Sequence, residues 1–149
     1  MRSFSELWRI GRLERPFDTG MNPFVSSLVI GAGAALGANA RFWFGYWWTG
    51  RFGSDYPWHT LLINLVGSIL LGAFMAFALL KGWGVGWRLF VAVGFAGGFT
   101  TFSTFSAEVV NLIEEGRLGS AGSYMLLSVG LSVLGCWAGA HLSRMWASG

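Results

Sequence analysis

Four apolar runs, each long enough to cross a bilayer, constrain this chain more than any single motif in it. A hydrocarbon core roughly 30 Å thick needs about 20 predominantly apolar residues per helix. Runs of that kind cover residues 23–47, 58–80, 87–113 and 120–146. Charged residues make up only 11% of the chain and hydrophobic ones 54%, whereas a soluble domain carries about 25% charged residues. The expected architecture is an all-α integral membrane protein, with four transmembrane helices filling residues 23–149.

Residues 1–22 stand apart as an N-terminal extension. They mix Arg2, Arg9, Arg12 and Arg15 with scattered apolar residues, and no apolar run is long enough for a secretory signal. An amphipathic helix at the membrane surface and a disordered segment both fit this pattern.

The net charge is +3 and the pI about 9.6. The basic residues lie at span ends and in the extension, where they report topology and contact with anionic lipid. No basic face is interleaved with base-stacking aromatics, so nucleic-acid binding is excluded. Beyond the extension, Lys81, Arg88 and Arg144 fall on one side of the membrane and Arg41, Arg51 and Arg117 on the other. Such a core has no charge preference for either orientation, which makes an antiparallel homodimer physically possible. The single cysteine, Cys136, lies in the fourth run and has no intrachain partner.

The third run contains a segment that suits lipid badly. Residues 97–105 read GGFTTFSTF, with glycines and hydroxyls where a lipid-facing helix would be aliphatic. Backbone groups freed at bilayer depth must be satisfied by protein, water or an ion. The third helix is therefore expected to break at mid-membrane, with Gly97, Gly98 and Thr100 as the break point. Either neighbouring hydroxyls re-bond the freed carbonyls, or the carbonyls hold a hard cation such as sodium.

Other polar residues have two readings each. Asn64 is the strongly polar residue of the second run; it either bonds across helices or faces a transported species. Tyr124, Ser128 and Ser132 recur every four residues and share one helix face. That stripe serves close packing or backbone bonding, or it lines a pore. Phe102 and Phe105 are core or lipid contacts, unless their positive ring edges meet an anion. Arg41, placed at the end of the first run, is a snorkelling anchor or an anion attractor at a pore mouth. Glu108 is expected to pair or face water. His59 and His141 lie on different runs, and no enzyme constellation is present.

The motif GGFTTFSTFSAEVV, followed by EEGR, resembles the third-span signature of the Fluc (CrcB) fluoride channels. GANAR at residues 37–41, TLLINLVGSILLG at 60–72 and the Tyr124/Ser128/Ser132 stripe fall in matching order. The resemblance implies a dual-topology homodimer, with two antiparallel subunits enclosing two fluoride pathways. It implies that the third helices cross at the dimer centre, where carbonyls of Gly97 and Thr100 bind a structural sodium ion that is not transported. It further assigns Phe102, Phe105, Asn64, Tyr124, Ser128 and Ser132 to the pathway and Arg41 to a vestibule.

The residues by themselves point to a cavity at the break; the resemblance implies a passive fluoride channel of the bacterial inner membrane that exports toxic cytoplasmic fluoride and is not an enzyme. A small dual-topology drug/proton antiporter is the alternative, but proton coupling needs an embedded carboxylate, usually in the first span. The first run has none. A membrane scaffold whose break only aids packing is a further rival.

Overall fold

The computed structural model of the chain describes residues 20–147. The described part is helical, and the expectation for residues 1–22 falls mostly on residues 1–19, outside it. Helix α1 (Pro23–Phe52) starts where the Asn22 Oδ1 accepts from the Phe24 N–H at 2.9 Å, with Pro23 at the first helical position. It stops at Gly53, whose φ of 77° leaves the right-handed helix. Helix α2 (Trp58–Leu80) follows a short loop and ends at Lys81.

The third span, Val85–Glu114, is assembled from pieces. Its first limb contains α3 (Val85–Arg88), a π-wound stretch (Leu89–Ala96) and α4 (Gly97–Phe99). Two extended residues follow, Thr100 at φ −78°, ψ 159° and Thr101 at φ −151°, ψ 118°. The second limb is α5 (Phe102–Glu114), and α6 (Leu118–Ala147) completes the fold. Four helices of the described chain are long and apolar enough to cross a membrane.

Two helix pairs form the scaffold, and small residues explain both. Lipid tails give no hydrophobic drive between helices, so close backbone approach supplies the attraction. Gly33 and Gly37 of α1 lie against the backbone of Phe90 and Phe95, leaving no room for a Cβ. Gly72 of α2 meets the Cys136 backbone in the same way, and Gly139 of α6 meets Ile69. Between the pairs, α5 is held by a cluster in which Phe105, Val109 and Leu112 pack with Leu61, Ala121 and Tyr124. The outer face of α6 presents Leu126, Val133 and Leu134, as suits lipid or another membrane helix.

Two details differ from the sequence reading. Aromatic residues at 42–48 mark an interface without stopping the helix, so α1 continues to Phe52 and Arg41 lies well inside it. Gly97 and Gly98 are helical, and the extended residues are Thr100 and Thr101. Gly98 instead permits contact, since a Cβ there would collide with the Ala34 backbone.

Candidate functional site

The interruption between α4 and α5 exposes two helix ends to each other. In a continuous helix the Thr101 N–H would bond the Gly97 carbonyl four residues back. Here that N–H donates to the Asn64 Oδ1 at 2.8 Å, and the Asn64 Nδ2 donates to the Thr101 carbonyl at 3.1 Å. The Gly97 carbonyl thus loses its helical donor. The Thr101 hydroxyl caps α5, accepting from the Thr104 N–H at 3.2 Å and donating to the Thr104 Oγ1 at 3.0 Å. The Arg41 Nη1 donates to the Thr100 carbonyl at 3.1 Å, and the Thr100 hydroxyl donates to the Ala96 carbonyl at 2.8 Å. Electrostatically, the last carbonyls of the first limb form a negative end and the first amides of α5 a positive one.

A cavity of about 320 Å³ opens beside this junction. Asn64, Thr100, Thr101, Phe102, Phe105, Ser128 and Ser132 line it, with Gly67, Ser68 and aliphatic residues completing the wall. The Phe102 and Phe105 rings lie 5.4 Å apart between centroids, and Phe105 lies 5.1 Å from the Tyr124 ring. Phe105 is buried at 7% exposure while Phe102 stands out at 75%. The hydroxyls of Ser128 and Ser132 are buried and make no hydrogen bond. Buried hydroxyls are normally satisfied, so two unpartnered ones on one cavity wall leave room for a polar guest.

Tyr124 does not line this cavity. Its hydroxyl donates to the Glu108 Oε2 at 2.6 Å, and the fully buried ring lies behind Phe105. The other carboxylate oxygen accepts from the Thr60 hydroxyl at 2.8 Å, with the His59 Nε2 3.5 Å away. Arg41 lines a second, wider groove of about 940 Å³ with His59, Thr60, Thr101 and Thr104. Thr101 borders both spaces. Gly97 lines neither, and a Cβ built on it would meet nothing within 4 Å.

The structure therefore gathers Asn64, Phe102, Phe105, Ser128 and Ser132 around one space, with Thr100 at its edge. It separates Arg41 into the adjoining groove. The sequence reading took Glu108 only as a residue that pairs or faces water; its convergence with Thr60, Tyr124 and His59 joins three helices and leaves no local spacing signal. The pairing of Asn64 with Thr101 was equally hidden, because the partner is backbone.

The family model described as "CrcB-like protein, Camphor Resistance (CrcB)" matches residues 28–140. A protein of Rhizobium meliloti (strain 1021) named fluoride-specific ion channel FluC is 42% identical over 118 residues, covering 78% of this chain and 94% of that protein. A protein of the same name from Erythrobacter litoralis (strain HTCC2594) is 41% identical over 131 residues, covering 84% of this chain and 96% of that one. A third, from Nitrobacter winogradskyi, is 44% identical over 120 residues, covering 79% and 94%. With four helices of membrane-crossing length and matches of this extent, the chain is a multi-pass membrane protein that belongs to the CrcB family, an ion-channel family and not an enzyme family.

Proposed function

We propose that two copies of this chain, inserted in opposite orientations in a bacterial inner membrane, form a passive channel that exports cytoplasmic fluoride. The observation that carries this reading is the cavity wall where the buried Ser128 and Ser132 hydroxyls lack partners beside Asn64 and Phe105. Fluoride is small and strongly hydrated, so a path must replace its water with several donors. Hydroxyls and positive phenyl edges do this while remaining neutral. Neutral donors hold an anion weakly enough for it to leave again. The names of the three relatives point to the same ion.

Charge and surface support the paired orientation. Outside the extension, Lys81, Arg88 and Arg144 fall on one membrane side and Arg51 and Arg117 on the other, with Arg41 inside α1, so the charge bias between the sides is small. Phe102 and Gly97 are exposed in the single chain beside the interruption, which suits contact with a second copy. Phe102 and Phe105 from opposite subunits would then meet in each of two pathways.

The donor chemistry at Gly97 and Thr100 fits a hard monovalent cation, because carbonyl oxygens are hard ligands. Gly97 has lost its helical donor, and the Thr100 carbonyl retains a lone pair beyond its bond from Arg41. One chain offers two such oxygens, so a second copy must complete the set. A structural sodium ion held there would supply fixed positive charge near the anion path without itself moving.

Fluoride efflux from liposomes holding purified protein, read with a fluoride-selective electrode, tests the proposal. Absence of fluoride flux above protein-free liposomes overturns it. The antiporter alternative has no support in α1, whose sequence carries no carboxylate.

A further inference from the structure

A hydroxyl on a membrane-spanning helix commonly donates to the carbonyl four residues back. Ser27, Thr49 and Ser106 do so here, to Pro23, Gly45 and Phe102 at 3.0, 2.7 and 2.8 Å. Ser68 of α2 does not. Its side chain makes no hydrogen bond to Asn64 or to any other group among the described residues. The residue is partly exposed on the wall of the cavity beside the interruption, and its hydroxyl oxygen is accessible.

The depth of Ser68 follows from how α2 meets α6. The two helices run side by side in the same direction. Gly135 of α6 lies against Leu65 and Ile69, Gly72 of α2 lies against Cys136, and the Phe77 ring is 6.0 Å from the Trp146 ring further along. Ser68 stands between Leu65 and Ile69, at the depth of Gly135 and so about one turn beyond Ser132. With a rise of about 1.5 Å per residue, it is about 6 Å past Asn64 along the axis. The polar groups of the cavity thus climb in steps, with Ser128 first, Asn64 and Ser132 next, and Ser68 last. Beyond it the α2 wall turns aliphatic at Leu71.

A strongly hydrated anion moving past Asn64 in this direction would meet no side-chain donor on the α2 wall if residue 68 were apolar. Serine supplies one neutral O–H there, and no bond within the chain competes for it. Weak donors set close together let an ion pass from one to the next, whereas a gap between them raises the barrier. We propose that the Ser68 hydroxyl is a further donor to fluoride, one step beyond Asn64 and Ser132 toward the membrane side where α2 ends. The inference rests on the fluoride-channel reading and adds a residue to the path which that reading describes.

Threonine and valine have nearly the same shape and differ in one hydroxyl, so Ser68→Thr and Ser68→Val separate donation from packing. Both variants are compared with wild type for melting temperature, oligomeric size and fluoride efflux from liposomes. Ser68→Thr is expected to keep flux within about threefold of wild type, and Ser68→Val to fall roughly tenfold or more below Ser68→Thr. Equal flux in the two folded variants overturns the proposal. If the added methyl prevents both from folding, Ser68→Ala adds no bulk and decides: a fall of roughly tenfold with wild-type melting upholds the donor role, and undiminished flux overturns it. Wild-type protein without fluoride flux overturns the channel reading and the donor role together. Wild-type flux with no difference between the variants overturns the donor role alone.

Discussion

Asn64 grips Thr101 at both its amide hydrogen and its carbonyl, at 2.8 Å and 3.1 Å. One side chain from α2 thereby satisfies the backbone where the third span leaves helical geometry. The same amide borders the cavity with the unpartnered serines. Under the proposed channel function, structural and functional demands meet on this single residue.

Asn64→Leu removes both bonds and leaves two backbone groups without partners. Each unsatisfied buried group costs about 1–3 kcal/mol, so the variant is expected to melt well below wild type in detergent. Asn64→Asp keeps an acceptor for the Thr101 N–H but sets a negative oxygen against its carbonyl and into the anion path. Fluoride efflux is expected to fall by roughly tenfold or more, the equivalent of about 1.4 kcal/mol on the barrier, with the helical fold retained by circular dichroism.

Ser128→Ala and Ser132→Ala separate function from packing. Their hydroxyls make no hydrogen bond within the chain, so removal is expected to change stability by no more than about 0.5 kcal/mol. Fluoride flux should nevertheless fall in each and further in the double variant. Unchanged flux with unchanged stability would mean that these hydroxyls do not meet the ion.

Phe105→Ile tests the buried ring. Phe105 packs on both Phe102 and Tyr124, and a change of shape at such a site costs about 1–3 kcal/mol. The variant is expected to remain folded, to keep its oligomeric state by size-exclusion chromatography and to lose most fluoride flux. A scaffold would have no flux to lose.

Gly37 and Gly97 should respond oppositely to alanine. A Cβ on Gly37 meets the Phe95 backbone, so Gly37→Ala is expected to destabilise the single-chain fold by about 1–3 kcal/mol. Gly97→Ala enters open space within one chain and should leave helix content intact while weakening the dimer. Replacing sodium with a bulky organic cation should likewise shift the wild-type dimer toward monomer, read by mass photometry or cross-linking yield. A dimer indifferent to both changes would contradict a cation site between subunits.

The helices were legible because twenty or so apolar residues in lipid have few alternatives to a helix. The gathering of Asn64, Phe105, Ser128 and Ser132 was foreshadowed by polar residues placed where lipid would not accept them. Their partners were not legible. Glu108 meets Thr60 and Tyr124 through the packing of three helices, and no local period encodes that. Of the three residues expected at the break, Thr100 is extended, together with Thr101, whereas Gly97 and Gly98 are helical and Gly98 lets α1 approach. Arg41 was misplaced at a helix end since an interfacial run of aromatics reads as a boundary, while the helix itself continues to Gly53.

The central claim is that this chain conducts fluoride selectively, and one efflux comparison tests it most directly. Liposomes loaded with potassium fluoride and potassium chloride, doped with purified wild-type protein and released by valinomycin, are read with electrodes for both anions. The account predicts rapid fluoride efflux with chloride retained as in protein-free liposomes. Fluoride retention, or release of both anions together, would contradict it.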